Sequence, residues 1–503
     1  MPTHCVRRGQ IAKREKTMRM AKTVKQHGRV YTPDYLVKLI LDFGGYDNPN
    51  LLGKHVIDNS CGDGAFLKEI VKRYCSQFLS KSDGLEELKR ELALYIHGIE
   101  LDAEECKLCV QNLDAIVAEF GLSNIQWDII NADTLSVDKY NGRMDFVFGN
   151  PPYVRVHNLE DNYSSVKKFH FAEQGMTDLF IVFFEIGFNM LSRDGVMSLI
   201  TPSSWLTSKA GSNLRKYIRQ HKNLSGLIDL EHFQPFEATT YMLVSRFQRP
   251  QTFEKIEYSN FDGNNRTKQF QSWLSLEEIS IGDCFYVANS EKLAELRGIK
   301  TGSAYDYVSV KNGFATLADK VFIGDFDFTE GTINILKAST GKWSRCIYPY
   351  DNQGKPLPLH EFMKYEAAYQ HLLSNADKLT KDRDIDSDQF WYLFGRTQAL
   401  KDVSKMKYAI NTIIKDKDSI KLEKVPEGKG LYSGLYILTE IGFDEIRQLI
   451  YSEDFIDYIK SLKNYKSGGY YTFASKDLEQ YLNYKISEKY GQSRISEGCR
   501  KLF

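Results

Sequence analysis

Four short apolar runs, spaced so that long helical stretches fit between them, set the strongest limit on what this chain can fold into. They are Lys54-His55-Val56-Ile57-Asp58, Ile96-His97-Gly98-Ile99-Glu100, Met144-Asp145-Phe146-Val147-Phe148-Gly149 and Gly195-Val196-Met197-Ser198-Leu199-Ile200. Each is strand-sized and rich in β-branched or aromatic residues, the pattern of strands buried within a sheet. Ala65 to Phe78, the stretch ending at Phe120, and Leu179 to Leu191 carry apolar residues at helical spacing instead. Strands alternating with crossover helices predict an α/β fold with a doubly wound, mostly parallel sheet, whose ligands bind at the carboxyl ends of the strands. From Thr252 onward this rhythm stops, and mixed polar strands and turns rich in Tyr, Lys, Asn and Asp take over. Arg249-Pro250 is the expected seam. The chain of 503 residues is too long for one core. The reading is a basic arm at 1–28, an α/β domain at 29–250 and a mixed α+β domain at 251–503.

Several function classes are excluded early. No apolar run approaches the length that spans a bilayer, and the N-terminus lacks a signal-peptide core, so a cytoplasmic protein without a membrane partner is expected. The eight cysteines are scattered, which fits reduced thiols. Cys106-Lys107-Leu108-Cys109 has no second C-x-x-C and no histidine pair nearby, and it reads as two thiols one helical turn apart. No metal is expected. Net charge is zero, but nine basic residues precede Tyr31 against one acid, Glu15. Such an arm can track phosphates, or be a tail or an over-extended start ahead of Met18 or Met20.

The turn after the first strand, Asp58-Asn59-Ser60-Cys61-Gly62-Asp63-Gly64-Ala65-Phe66, lets bare backbone approach a ligand. It lacks the G-x-G-x-x-G spacing of a pyrophosphate loop, and an acid at the strand end suits a cationic ligand without phosphates. Glu100, ending the next strand, can accept from both hydroxyls of a ribose. Asp133, in Asn131-Ala132-Asp133, ends a third expected strand and can accept from an adenine amino group.

Asn150-Pro151-Pro152-Tyr153 directly follows an apolar strand. By itself this is an ordinary Pro-Pro turn. Its chemistry fits a harder task. An amino group conjugated with a ring is a poor nucleophile because its lone pair is delocalised. The Asn150 side chain and the Pro151 carbonyl can each take one N–H and free that lone pair. The prolines fix the carbonyl outward, and Tyr153 offers a flat face for a base swung out of a duplex. No strong base is needed for in-line transfer from a sulfonium, only alignment.

Taken together, these motifs resemble the N6-adenine-specific DNA methyltransferases of the γ arrangement, the type II restriction-modification methylases with an NPPY motif. The resemblance covers residues 29 to 250 and runs in family order. It implies a class I S-adenosylmethionine-dependent methyltransferase domain, Rossmann-like, followed by a target-recognition domain. S-adenosylmethionine is then the cofactor, held by Tyr31, Thr32, Asp58, Ser60, Cys61, Gly62, Gly64, Phe66, Glu100, Leu101, Asp133 and Thr134. Asn150, Pro151, Pro152 and Tyr153 are the implied catalytic residues, and Phe236 the implied aromatic on the other face of the base, with Phe233 its rival. Thr201-Pro202-Ser203-Ser204-Trp205-Leu206 resembles a later strand and loop of the same domain. Asn59-Ser60 departs from the family, which often has proline there, and this alters loop stiffness more than ligand identity. The implied partners are double-stranded DNA and a separate cognate restriction endonuclease, with the methylase a monomer.

Beyond residue 250 the resemblance is looser. Val310 to Thr316, Trp391 to Arg396 and Ser467 to Phe473 place glycine beside aromatics, either as platforms for nucleic acid or as turns with core aromatics. The tetrapeptide also serves release-factor glutamine methyltransferases, RNA base methyltransferases and N4-cytosine methyltransferases. Half a chain beyond the catalytic domain favours duplex DNA over a release factor, with RNA the runner-up. A non-catalytic methyltransferase-like DNA-binding subunit is the alternative of a different class, and a fused nuclease a further one, though no segment reads as a nuclease domain.

Overall fold

A computed structural model of the chain describes residues 31–47, 51–154, 163–173, 178–236, 240–249, 253–302, 306–381 and 390–490. The basic arm at 1–28, with Met18 and Met20, lies outside the described residues, as do Cys5, Cys499 and Pro250.

The first unit runs to Leu293. It is built on a nine-stranded sheet in the order β3-β2-β1-β4-β5-β7-β6-β8-β9. The strands are β1 (Val56–Asp58), β2 (Ile96–Glu100), β3 (Asp128–Asn131), β4 (Met144–Gly149), β5 (Leu191–Pro202), β6 (Leu224–Asp229), β7 (Met242–Gln248), β8 (Ile256–Asp262) and β9 (Thr267–Leu274). Pairings from β3 to β5 are parallel, whereas β7 pairs antiparallel with both β5 and β6. The outer pair is β6 with β8, parallel, and β8 with β9, antiparallel. Helices cover both faces. Leu36 and Ile40 of α1 (Asp34–Phe43), Phe66 and Ile70 of α2 (Ala65–Leu79), Leu88 of α3 (Leu85–Tyr95) and Leu113 of α4 (Ala103–Ala118) share one buried cluster. Phe180 and Phe184 of α5 (Leu179–Met190) and Leu214 and Ile218 of α6 (Ser212–His221) share the other. Two apolar faces explain why the central strands lack alternation. This is the doubly wound, mostly parallel, Rossmann-like fold expected, with β7 inserted antiparallel.

One boundary moves. The sheet continues past Arg249–Pro250 through β8 and β9, so the first unit ends at Leu293 rather than at the compositional change near residue 250. β9 is an edge strand exposed from Thr267 to Gln271, and a sheet edge facing water is polar without being a new domain.

The second unit, Ala294 onward, is α+β. One four-stranded sheet joins β10 (Val308–Asn312), β16 (Leu435–Thr439), β13 (Lys407–Ile410) and β14 (Leu422–Val425) in that order. Another sets the short strand Ile323–Gly324 beside β12 (Lys342–Ile347), then β11 (Thr332–Lys337) and β15 (Gly430–Tyr432). Of the aromatics in the segments that sequence left open, Phe314, Tyr392, Phe394 and Phe473 are core, Trp391 and Tyr471 are half-buried and Tyr470 is exposed. No helix among the described residues is long and apolar enough to cross a membrane.

Candidate active site

Strand order reverses between β1 and β4, which opens a crevice at their carboxyl ends. A cavity of about 260 Å³ lies there. Of the twelve residues expected to hold a cofactor, eleven line it: Tyr31, Thr32, Asp58, Ser60, Cys61, Gly62, Phe66, Glu100, Leu101, Asp133 and Thr134. Asn150 and Pro152 complete its inner end.

Gly64 does not line it. It caps α2 at φ 88°, and a Cβ there would stand 2.8 Å from Cys109 Sγ. Its part is to admit the left-handed turn and let the loop pack on α4. Cys106 and Cys109 both lie on α4, buried, as two thiols one turn apart. A hydrogen bond with Cys109, aided by burial, pushes the Cys61 thiol well above its ordinary pKa. No group of His, Cys, Asp or Glu able to hold a metal occurs among the described residues.

The strand-end acids are organised by backbone. Glu100 accepts from the Gly62 amide at 2.9 Å and from the Asp102 amide at 2.8 Å, so its carboxylate joins two loops. Asp133 accepts from the Leu135 amide at 3.0 Å, and the buried Thr134 hydroxyl donates to the Asn59 carbonyl at 2.7 Å. Asp58 is only 2 % exposed. Burial pushes its pKa up to about 7; the Ser60 amide opposes the rise, and the nearby charges of Glu100 and Asp63 add to it. A Cβ on Gly149 would stand 2.9 Å from Asp58 Oδ1, so only glycine ends β4 without crowding that carboxyl.

Sequence reasoning did not single out Asp63, Asp102 and Glu105, which also line the cavity. Asp102 caps α4 and so follows Glu100 by simple adjacency. Glu105 accepts from the Tyr31 hydroxyl at 3.1 Å, a long-range contact with no local signal. The lining thus carries six carboxyl groups and no lysine or arginine. Asn59 Oδ1 and Ser60 Oγ are buried there without hydrogen-bond partners. Unpaired buried polar atoms are costly, and a polar ligand relieves that cost. The donor set fits S-adenosylmethionine: a cation with ribose hydroxyls and no phosphate.

At the inner end, Asn150 is tied on both sides. Its Nδ2 donates to Thr32 Oγ1 at 3.1 Å, and its Oδ1 accepts from the Tyr153 hydroxyl. Thr32 therefore reaches the Asn150–Tyr153 tetrapeptide, a link that its distance in sequence hides. Burial pushes the Tyr153 phenol well above its ordinary pKa, so it stays protonated and donates. Tyr153 meets Phe180 edge-on and lies beside Phe236, with ring centroids 6.5 Å apart and the planes tilted by 54°. Phe233 sits elsewhere, packed on Tyr35 and Phe261.

With this geometry in view, relatives become informative. Residues 72–236 match the family model described as Eco57I restriction-modification methylase. The type II methyltransferase M.BstVI of Geobacillus stearothermophilus is 26% identical over 411 residues, covering 72% of each chain. The type II restriction enzyme and methyltransferase RM.Eco57I of Escherichia coli is 23% identical, and the match spans 74% of this chain but 47% of that longer protein. The solved structure of the type IIL restriction-modification enzyme MmeI in complex with DNA superposes with a TM-score of 0.59 at 12% identity, over 88% of this chain and 65% of MmeI. That likeness is one of fold.

Proposed function

We propose that the chain is the modification enzyme of a restriction-modification system, moving a methyl group from S-adenosylmethionine to the exocyclic N6 of an adenine flipped out of duplex DNA. The observation that carries this reading is the junction of two sites at one strand-order reversal: an acidic cavity without lysine or arginine in its lining, whose inner end is Asn150, with Tyr153 and Phe236 side by side next to it.

In this reading Glu100 would hold the ribose and Asp133 the adenine of the cofactor, while Asp58 would face its positively charged part. The cofactor supplies a methyl group made electrophilic by its sulfonium. The chain's residues do the rest by orientation. Thr32 and Tyr153 fix the Asn150 amide, leaving its oxygen turned to the target with one lone pair still to offer. That oxygen and the Pro151 carbonyl accept the two N–H groups of the target amine, which localises the nitrogen lone pair along the transfer line. Tyr153 and Phe236 hold the base between them. A protonated Tyr153 is no general base, and an amine that has gained a methyl group sheds its proton readily to water.

Incubating the protein with labelled S-adenosylmethionine and duplex DNA tests the reading. N6-methyladenine at one sequence is the expected product. Label appearing only on RNA or protein, or only as N4-methylcytosine, would overturn it.

A further inference from the structure

The second unit holds an open groove of about 490 Å³ whose lining differs from the rest of that unit. Trp343 and Arg345 stand two residues apart on β12, and therefore on the same face. Asn334 on β11 pairs directly with Arg345. Lys424 of β14 and Lys429 in the turn before β15 also line the groove, as does Asp325. Three cations thus face one carboxylate in a chain whose net charge is zero.

Trp343 is 42% exposed, although most large aromatics in this unit are core. The Lys429 ammonium lies 6.0 Å from its ring centre. Arg345 donates to the Phe328 carbonyl at 2.9 Å, which anchors part of its guanidinium and leaves other donors for a ligand. Lys424 rests over the Phe443 ring at 4.7 Å.

We infer that this groove is a duplex-DNA contact of the methylase, with Arg345 and Asn334 reading base edges and Lys424 and Lys429 holding phosphates. β11 and β12 are the inner strands of a four-stranded sheet, and Asn334, Trp343 and Arg345 share one face of it, from which side chains can reach base edges exposed in the major groove. Arginine pairs there with guanine and asparagine with adenine, each through two hydrogen bonds. Lysines flanking them add affinity without sequence preference. Trp343 supplies a flat face beside the backbone. The inference rests on the reading of the chain as a DNA methyltransferase, and wild-type methyl transfer to duplex DNA tests that reading separately.

The test uses the full chain with Lys424→Ala, Lys429→Ala, Arg345→Ala and Arg345→Lys. Binding to a short random-sequence duplex is measured over a range of salt, and methylated sites are sequenced in cells expressing each variant. Each lysine variant should lower the salt slope of binding by about one, the effect of one lost phosphate contact. Both arginine variants should relax one position of the methylated sequence by about tenfold, because lysine keeps the charge but loses the fork. Arg345→Lys keeps the test valid if Arg345→Ala fails to fold. Cofactor affinity, which depends on the first unit, should be unchanged in all four. Wild-type salt slopes with an unaltered methylated sequence would overturn the inference. So would tighter binding to RNA than to duplex DNA that the same substitutions abolish.

Discussion

The two units treat buried polar groups in opposite ways. In the second unit the groups around Asp402 and Lys407 are saturated from within. Asp402 is buried, and although burial opposes its charge, Lys311, Tyr436 and Lys405 hold its carboxyl below the usual range. Lys407, also buried, donates to the carbonyls of Asp402, Val403 and Lys405, and burial lowers its pKa to about 8. In the first unit the buried groups at the cavity are left incomplete: Asn59 Oδ1 and Ser60 Oγ have no partner, and Asp58 titrates near neutrality. A closed network specifies a fold, whereas an open one at a strand-order reversal awaits a ligand.

Removing a group from the open site should damage function and spare stability. Asn150→Ala is expected to reduce turnover by about 100-fold or more, the cost of losing one positioned hydrogen-bonding group in a transition state. Cofactor affinity, read by calorimetry, should stay within about twofold; near-normal turnover would break the assignment of Asn150 as the acceptor.

Removing a group from the closed network should do the reverse. Asp402→Ala leaves the buried Tyr436 hydroxyl unpaired and should destabilise the second unit by about 1–3 kcal/mol in denaturant unfolding. If cofactor affinity fell along with stability, the separation between the units would not hold.

The two phenylalanines sharpen the contrast within the first unit. Phe236→Ala should weaken capture of the flipped base by about 1–3 kcal/mol, the usual value of one base–aromatic contact, with unfolding little changed. Phe233→Ala, which opens the packing against Tyr35 and Phe261, should lower stability first. A fluorescent base analogue at the target position reports the first effect.

The smallest expected effect is also the most diagnostic. Asp58 holds its proton up to about pH 7 in the free protein, and a cationic ligand favours its ionised form. Binding below that pH must therefore expel the proton, so affinity should rise with pH by at most about tenfold per unit and level off above about 7. Calorimetry in buffers of different ionisation enthalpy counts the proton released. Asp58→Asn should bind more weakly and lose the slope; a slope that survives in this variant would place the titrating group elsewhere.

Much of this was legible because parallel strands end on one edge. Once Val56–Asp58, Ile96–Glu100 and Met144–Gly149 are strands of one sheet, Asp58, Glu100 and Asn150 must share a crevice. Gly64 falls outside the cavity lining; a glycine that bends the chain and a glycine that touches a ligand look alike in sequence. The boundary near residue 250 was misplaced for a similar reason, since composition registers the exposure of β9 and not its pairing with β8.

By itself, then, the sequence determined the parallel part of the sheet, the acids at its edge and the tetrapeptide after β4, because these follow from local periodicity and adjacency. Only the tertiary structure decided that Thr32 braces Asn150, that Phe236 rather than Phe233 lies beside Tyr153, that Glu105 joins the cavity wall, and that Trp343 and Arg345 line a basic groove. Each of those depends on segments distant in the chain meeting in space, and side-chain packing, which no local pattern encodes, settles which of them meet.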